Sequence, residues 1–481
     1  MKSTDDKVDA AQHDEEAHHE MERLDTKATD APVAALAGQH VHDQEEGNPR
    51  VGYKVYKRRF FGLAQLVLLN VIVSWDWLSF SAVSTTASEY FDVSKTAINW
   101  LSTGFLFAFC VASPVVIYTL NKGGPKPSII TAAVLILLGN WIRYAGARAS
   151  PPHGVFGVVM FGQILIGFAQ PFILSAPTRY SDLWFTDHGR TSATAIATLA
   201  NPFGGALGQL IGPMLATEKG EIPQMVLYIA IISTVASLPS FFIPSAPPTP
   251  PSSAYLTHRP PLSQSPLTLF RTLEFWLIFL PFSVYVGLFN SISSLLNQIL
   301  EPHGFTETDA GICGAILIVV GLVSAAITSP LIDRLKHYLG TTKILVPIIA
   351  ISYIAFVFAP LSRPSVVGPY IVAAILGASS FAVLPIILEY LVEITYPMSP
   401  EVSSTICWTG GQFLGAVFII IENALKADDS KEIEPPKNMR NALVFQAVVA
   451  SVVVPLPLCL GLFGRKVRKK RFEAETGRGV E

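Results

Sequence analysis

The chain contains twelve apolar runs from Phe60 onward, each close to the length of about 20 residues that crosses a bilayer as an α-helix. Breaks such as Gly123-Gly124-Pro125 separate the runs and favour helices over barrel strands. The runs cover about residues 60–87, 97–120, 127–147, 154–178, 191–216, 224–243, 272–300, 308–332, 343–361, 367–392, 402–425 and 440–463. Because 50% of the residues are hydrophobic and only 15% are charged, against about 25% in soluble domains, we predict an all-α membrane protein with twelve transmembrane helices.

The start of the chain differs from this apolar body in charge. The formal net charge is −2, but the first 50 residues hold 13 acidic and 5 basic side chains, together with five of the ten histidines. Such a segment buries too little apolar surface to fold, so residues 1–55 are predicted to be a disordered acidic cytoplasmic tail. Its histidines match no closed set of metal ligands. The charge balance excludes a strongly basic nucleic-acid binder, and the spacing of the four cysteines excludes a disulfide-stapled module.

Lysine and arginine are distributed unequally between alternate loops. The loops on the side of the N-terminus hold 19 of these residues, and the opposite loops hold 8. Both termini are therefore predicted to be cytoplasmic, which agrees with the even number of spans. Residues 465–481 form a basic cytoplasmic tail that we expect to touch anionic lipid head groups.

A proline-rich stretch divides the spans into two sets of six. Residues 244–266 contain eight prolines, a composition that no packed element tolerates, so residues 244–268 are predicted to be a cytoplasmic linker. The N-terminal half then covers residues 56–243, and the C-terminal half covers residues 269–464. Two six-helix halves in parallel orientation are typical of one large class of secondary transporter.

The two halves share a pattern of polar and small residues. Spans one and seven carry polar stripes with identical offsets, formed by Asn70, Ser74, Trp77, Ser81 and Ser84 and by Ser283, Gly287, Asn290, Ser294 and Asn297. Spans five and eleven carry glycine ladders, formed by Gly204, Gly208 and Gly212 and by Gly411 and Gly415. The ladders predict close helix packing. Since polar faces avoid lipid, the stripes are predicted to line a central cavity, or else to bond helices within a static bundle.

Five short strings and one loop carry a resemblance to a known family. The strings are Ile98-Asn99-Trp100-Leu101-Ser102, Gly139-Asn140-Trp141-Ile142-Arg143, Ala169-Gln170-Pro171-Phe172-Ile173-Leu174, Ser293-Ser294-Leu295-Leu296-Asn297-Gln298 and Glu393-Ile394-Thr395-Tyr396-Pro397. The loop is Pro330-Leu331-Ile332-Asp333-Arg334, a worn version of the major facilitator loop signature. Together they resemble the feline leukaemia virus subgroup C receptor-related transporters, solute carrier family 49. The resemblance runs from about residue 56 to about residue 463, and it implies a major facilitator fold that works by alternating access.

The resemblance also implies a substrate site. Family members have been associated with choline and ethanolamine uptake, with haem export and, in one branch, with pyridoxine transport. The choline carriers enclose the quaternary ammonium between a span-one tryptophan and a span-seven tyrosine, helped by two glutamines. The implied substrate-binding residues are Trp77, Gln170, Asn290, Asn297 and Gln412. Asn290 replaces the tyrosine and Thr85 replaces a span-one asparagine, so a small polar or cationic solute is expected rather than choline itself.

Charged residues in or beside the spans are candidates for coupling and gating. Asp76 lies mid-span, where an unpaired carboxylate is costly, so it is predicted to neutralise a cationic substrate or to carry a coupling proton. A structural pair with a donor elsewhere is the alternative. The predicted gating residues, at the cytoplasmic ends of spans four and ten and in the loop signature, are Arg179, Asp333, Arg334 and Glu393. Arg143, near the outer end of span three, is expected to snorkel to the interface.

These expectations combine into one predicted function. The chain is expected to be a monomeric secondary transporter for a small polar or cationic solute, choline-like or ethanolamine-like, in the plasma membrane or an endomembrane such as the vacuole or lysosome. The alternatives are a haem, porphyrin or pyridoxine-like carrier, and a sensor of the same fold that does not transport. No motif predicts an enzyme, a cofactor or a metal site.

Overall fold

The computed structural model describes residues 55–150, 153–249, 266–335, 338–395, 400–427 and 435–460. Within these ranges every regular element is helical, as the apolar runs predict. The acidic tail at 1–55 lies outside the described residues except for its last position, and the basic tail at 465–481 lies wholly outside them. Of the predicted linker at 244–268, residues 250–265 are outside as well.

Twelve long helices in the described ranges correspond one to one with the predicted spans. They are α1 (Arg58–Leu78), α2 (Lys95–Gly123), α3 (Pro125–Arg148), α4 (Phe156–Leu174), α5 (Asp187–Leu215), α6 (Ile222–Ser237), α7 (Leu273–Leu300), α8 (Glu307–Leu335), α9 (Tyr338–Phe358), α10 (Val367–Thr395), α11 (Pro400–Ala424) and α12 (Arg440–Val452). Eleven of them, with adjoining helical turns, are long and apolar enough to cross a membrane. The remaining helix, α5, has 29 residues and exceeds a hydrocarbon core of about 30 Å at about 1.5 Å per residue.

The first span is shorter than the sequence predicts. α1 ends at Leu78, residues 79–83 form turns, and a separate short helix covers Ser84–Phe91. The Ser79 hydroxyl donates to the backbone oxygen of Asp76 at 2.9 Å, a local bond that competes with regular helix. The last two residues of the predicted span-one stripe therefore lie beyond α1, whereas the span-seven stripe stays on one continuous helix.

The two halves repeat the same helix packing. In the N-terminal half α1 packs against α5, α2 against α4, and α3 against α4 and α6. The helices six positions later form the equivalent pairs, α7 with α11, α8 with α10, and α9 with α10 and α12. Contacts between the halves run mainly through α2 with α11 and α5 with α8. The structure therefore contains the internal repeat that the matching stripes indicate.

Glycines permit the close approach of the central helices. A methyl group on Gly204 of α5 would overlap the backbone oxygen of Val71 on α1. In the other half, a methyl group on Gly415 of α11 would lie 2.8 Å from Cβ of Asn290 on α7. Larger residues would force these helices apart. The close packing predicted from the glycine ladders is therefore confirmed, and it brings the polar side chains of these helices to the middle of the molecule.

Candidate substrate cavity

A cavity of about 90 Å³ lies between the two halves. α1, α4 and α5 line it from the N-terminal half, and α7 to α11 line it from the C-terminal half. Since about 10–15 Å³ of such volume holds one water molecule, the cavity has room for a small solute in this conformation. None of the described side chains that line it is charged at neutral pH.

Aromatic rings form much of the cavity wall. They belong to Trp77, Phe282, Tyr285, Phe289, Phe381 and Trp408. The rings of Phe282 and Trp408 meet edge to face with their centroids 5.5 Å apart. The Tyr285 hydroxyl donates to the backbone oxygen of Ala450 on α12 at 2.9 Å, which fixes this ring from behind. The wall therefore presents ring faces and edges, which suit flat or cationic groups.

Four amide side chains supply most of the polar lining, namely Gln170, Asn201, Asn290 and Gln412. The Asn290 amide nitrogen donates to the Gln412 side-chain oxygen at 2.9 Å and ties α7 to α11. The side-chain oxygen of Gln170 and the ring nitrogen of Trp77 are buried and have no hydrogen-bond partner among the described residues. Because buried polar groups are normally bonded, this acceptor and this donor, both on residues that line the cavity, could bond to a solute.

The structure brings four of the five predicted substrate-binding residues to this cavity, namely Trp77, Gln170, Asn290 and Gln412. Asn297 does not line it. Its amide donates to the Ser84 hydroxyl at 3.1 Å and to the Glu307 carboxylate at 2.7 Å. Asn297 lies seven residues beyond Asn290, which places it about 10 Å further along α7. That position is at the end of the bundle where α1 ends, here called the distal end; α1 begins at the proximal end.

Polar contacts tie the two halves together at the distal end. The Glu307 carboxylate, at the start of α8, accepts bonds from the backbone nitrogen of Thr85 at 2.9 Å and from the Thr86 hydroxyl at 2.7 Å. The Lys95 ammonium forms an ion pair with Glu301 at 2.5 Å. Sequence reasoning missed the charged residues among them, Lys95, Glu301 and Glu307, although charges that directly flank spans could have indicated them.

α2 adds further distal contacts to the C-terminal half. Its Asn99 amide donates to Asn423 on α11 at 3.1 Å, and Gln298 on α7 donates back to Asn99 at 2.6 Å. Just beyond α11, burial lowers the pKa of Lys426, and the positive charge of Lys95 lowers it further. The N-terminal half is thus bonded to α7, α8 and α11 at this end.

One contact between the halves at the proximal end, among the residues that the structure describes, joins two neutral groups. The hydroxyl oxygens of Ser175 and Thr405 lie 3.1 Å apart, between the end of α4 and the start of α11. The predicted gating residue Arg179 is half-buried in the short helix Ala176–Trp184. The side chains of the other predicted gating residues, Asp333, Arg334 and Glu393, lie outside the described residues. The gating role of this group stays a prediction.

Asp76 does not line the cavity. Its carboxylate accepts bonds from the Arg143 guanidinium at 3.2 Å and from the Asn140 amide at 2.7 Å, both on α3. The Gln163 amide on α4 donates to its backbone oxygen at 3.2 Å. The expectation that Arg143 snorkels is wrong, because both ionic side chains are fully buried and the carboxylate holds the guanidinium inside the bundle. Arg143 is thus the donor that the alternative of a structural pair requires for Asp76. The coupling role of Asp76 stays a prediction.

A second fully buried carboxyl group, Glu422 on α11, escaped the sequence analysis. One of its oxygens accepts from the Ser291 hydroxyl on α7 and the other from the Gln446 amide on α12, both at 2.8 Å. The sequence feature that could have revealed Glu422 is its position as an isolated acidic residue directly after the apolar string Phe418-Ile419-Ile420-Ile421. An ionisable residue inside a span is a functional candidate by default.

Comparison with known proteins agrees with this architecture. A family model described as Major Facilitator Superfamily matches residues 66–419. Solute carrier family 49 member A3 of Danio rerio is 34% identical over 377 residues, which cover 78% of this chain and 80% of that protein. Choline/ethanolamine transporter FLVCR1 of Mus musculus is 30% identical over 399 residues, which cover 77% of this chain and 70% of that protein.

Solved structures share the fold at low sequence identity. The crystal structure of a D-xylose-proton symporter matches with a TM-score of 0.67 and 14% identity, over 85% of this chain and 99% of that chain. A bacterial homologue of the human lysosomal transporter Spinster, in an inward-facing and unoccupied conformation, matches with a TM-score of 0.64 and 16% identity. The match covers 86% of this chain and 99% of the bacterial chain. At such identity the likeness establishes the fold alone.

Proposed function

The chain belongs to the major facilitator superfamily and, within it, to solute carrier family 49, and we propose that it carries a small polar or cationic organic solute of the choline and ethanolamine kind. The observation that supports this proposal is the cavity between the halves, with its aromatic wall, its amides and no charged side chain among the described lining residues. Transport would proceed by alternating access, with the cavity opening to each side of the membrane in turn.

An aromatic wall can hold an organic cation without a counter-ion. A ring face attracts a cation by about 0.5–2 kcal/mol, and by more when water is excluded. Trp77 on one side of the cavity and Trp408 on the other offer such rings. The unpartnered oxygen of Gln170 can accept a bond from a hydroxyl or ammonium group of the solute. A small amino alcohol or its quaternary derivative combines both kinds of group.

The contacts between the halves support a rocking mechanism. In this conformation the distal end is held by Lys95 with Glu301 and by Glu307 with the Thr85–Thr86 backbone and side chain. Opening that end requires these bonds to break, while the cavity residues stay attached to their own halves. The bonded distal end is therefore proposed to be one closed gate of the cycle.

A flat neutral solute with hydroxyl groups, similar to pyridoxine, is the second candidate. It is favoured by the donor at Trp77 and the acceptor at Gln170, which complement hydroxyls, and by the absence of a carboxylate among the described lining residues. Haem is disfavoured because no histidine or cysteine lies among the described lining residues to ligate its iron.

Uptake of labelled choline, ethanolamine and pyridoxine into proteoliposomes tests the proposal. One of these solutes should accumulate inside the vesicles, and an excess of the same unlabelled solute should compete. The same solute should raise the melting temperature of the purified protein by mass action. A ligand that stabilises the protein without entering the vesicles would identify a sensor, and a chain that neither binds nor transports any of the three would refute the proposed cargo class.

The charge bias supports an orientation with the proximal end in the cytoplasm. Arg58 and Arg59 begin α1 there, and Lys122 lies at the end of α2. In a background without the native cysteines, K122C should resist an impermeant maleimide in cells that express the protein on the plasma membrane. D92C, at the exposed distal position between Phe91 and α2, should react. Localisation of a tagged chain would show whether the host is the plasma membrane or an endomembrane such as the vacuole.

A further inference from the structure

Glu422 is a buried carboxyl group with neutral hydrogen-bond partners. It has no exposed surface, and its two oxygens accept from Ser291 and Gln446. Among the described residues no lysine, arginine or histidine forms an ion pair with it, in contrast to Asp76, which is paired with Arg143. An ionised carboxylate is unfavourable in such a place unless it is paired or reached by water.

The hydrogen bonds around Glu422 can accommodate a carboxylate or a carboxylic acid. The Ser291 hydroxyl has one hydrogen and two acceptors in reach, Glu422 at 2.8 Å and the backbone oxygen of Leu288 at 3.1 Å. When Glu422 is ionised, Ser291 donates to it. When Glu422 is protonated, its own hydroxyl donates to Ser291, and Ser291 turns to Leu288. The Gln446 amide donates to the second oxygen of Glu422 in both cases.

Gln446 supplies a second observation beside the carboxyl group. Its side-chain oxygen is buried and has no hydrogen-bond partner among the described residues. Reversal of this amide would give a second arrangement for the protonated form, in which the Gln446 oxygen replaces Ser291 as the acceptor for the proton of Glu422. The site therefore contains one acceptor more than the ionised form uses, as a proton-binding site requires.

Among the described residues, the other titratable groups near Glu422 do not neutralise it. Tyr353 on α9 lies within electrostatic range of Glu422, and Tyr285 on α7 lies within range of Tyr353. Beyond the end of α11, Lys426 interacts with Lys95, Glu301 and Lys437 instead. α12 contributes the neutral Gln446, and Lys95 of α2 is already paired with Glu301.

α11 connects this carboxyl group to the cavity and to the distal contacts. The same helix carries Gln412, which lines the cavity, and Asn423, the residue after Glu422. Asn423 bonds Asn99 at 3.1 Å and Thr96 at 3.1 Å on α2 of the other half. A movement of α11 that breaks these bonds would also change the surroundings of Glu422. Proton binding and opening of the distal end are therefore linked through one helix.

We propose that Glu422 is a proton-binding site that couples proton movement to alternating access, an inference that rests on the proposed transport function. The carboxylate takes one proton from water when α11 exposes it, becomes a neutral acid, and is then enclosed between Ser291 and Gln446. It returns the proton to water on the other side when that side opens. Only the O–H bond forms and breaks, and no other reactant is needed.

Infrared spectroscopy of the purified full chain tests proton binding without any substrate. The wild-type protein should show the carbonyl band of a protonated carboxyl group that disappears as the pH is raised from about 5 to about 9, the range in which a physiological proton carrier must titrate. E422Q should lack the band and should still fold, because an amide can donate to Ser291 and accept from Gln446. S291A should shift its frequency, since the carboxyl group loses a hydrogen-bond partner.

Two control variants make the spectral test specific. The double variant D76N/R143M removes the other fully buried carboxyl group described together with its ionic partner, and E89Q makes the same change as E422Q at an exposed position. Both should keep the titrating band. A band that survives in E422Q, or a wild-type protein without a titrating band, would overturn the proposal.

Transport measurements separate this proposal from the proposed function. An imposed proton gradient of one direction should make wild-type proteoliposomes accumulate the solute above equilibrium. E422Q should exchange labelled for unlabelled solute but should not accumulate it. If E422Q accumulates solute like the wild type, or if the wild type ignores gradients of both directions, Glu422 does not couple protons. If no solute is transported at all, the proposed function fails, while the infrared titration still decides whether Glu422 binds a proton.

Discussion

The guanidinium of Arg143 on α3 lies 3.2 Å from the carboxylate of Asp76 on α1, and both side chains are fully buried. Asn140 and Ser79 bond the same pair, at 2.7 Å to the carboxylate and 2.5 Å to the guanidinium, so the charges are held within a polar network. Two opposite charges inside the N-terminal half therefore join α1 to α3. A buried pair of this kind is sensitive to the loss of one partner, because the remaining charge is left without compensation.

Loss of Arg143 alone should destabilise the protein more than loss of both charges. R143M should cost about 3–5 kcal/mol and lower the melting temperature of the detergent-purified protein strongly. The double variant R143M/D76N should recover much of that loss, because no unpaired charge remains. If the two proteins melt at the same temperature, the ion pair does not connect these helices in solution.

The predicted coupling role of Asp76 has its own test. If Asp76 carries the coupling proton, D76N should abolish the pH dependence of uptake, and uptake by the wild type should differ between about pH 5 and about pH 8. E422Q is the matched comparison, because it makes the equivalent change at the other buried carboxyl group. Loss of pH dependence in D76N but not in E422Q would assign coupling to Asp76 and contradict the proposal for Glu422.

Trp77 should contribute directly to binding of a cationic solute. W77A should weaken uptake by about 2-fold to 30-fold, which corresponds to the cation–π energy of about 0.5–2 kcal/mol. W77F should weaken uptake less, because a phenyl ring retains part of the cation–π attraction. W100F is the control, because Trp100 is an exposed tryptophan on α2 that does not line the cavity. Equal uptake by W77A and the wild type would remove Trp77 from the substrate site.

Gly204 should tolerate no side chain. G204A places a methyl group against the backbone oxygen of Val71 and should lower both the melting temperature and uptake, because α1 and α5 must separate. G157A is the matched control, since a methyl group there meets nothing within 4 Å. If G204A is as stable and as active as G157A, the close approach of α1 and α5 is not required.

The ion pair between Lys95 and Glu301 should bias the closed distal end. Because both side chains are partly exposed, the pair is worth at most about 1 kcal/mol. K95E should therefore increase the reactivity of a reporter cysteine in the cavity toward a reagent added from the distal side by up to about 5-fold. K95E/E301K should restore the original reactivity. A double variant that stays as reactive as K95E would exclude this pair from the gate.

Charge reversal can also test the predicted gate at the proximal end. R179E and E393R should each impair uptake if Arg179 and Glu393 form a pair that closes this end, and the double variant should restore it. Exposed cysteines at the proximal side would report the opening directly. Failure of the double variant to recover uptake would reject the pairing.

The twelve helices and their division into two halves were predictable because each follows from local composition. An apolar run of span length must form a helix in a bilayer, since no water is present to bond its backbone. The matching stripes and glycine ladders indicated which helices are equivalent and which approach closely, and Trp77, Gln170, Asn290 and Gln412 do meet in one cavity. Family membership also followed from short strings of residues.

Local composition did not predict which side chains on distant helices form hydrogen bonds or ion pairs with each other. Arg143 could have reached the interface or a carboxylate, and only the packing of α3 against α1 selected Asp76. Asn297 belongs to the same stripe as Asn290, but the length of α7 carries it to the distal end. Glu422 has partners on two other helices, Ser291 and Gln446, which are 131 and 24 residues away in the chain.

The sequence by itself therefore determined that this protein spans a membrane, how many long helices its described ranges contain and how its halves correspond, because these properties depend on the solvent and on residues close together in the chain. The tertiary structure decided which charges are paired, which amides face the cavity and which buried carboxyl group has no cationic partner among the described residues. Those outcomes depend on where distant helices come into contact, because a buried charge is stabilised only by the groups within reach of it. The contrast between Asp76, which has Arg143, and Glu422, which has Ser291 and Gln446, was decided at that level.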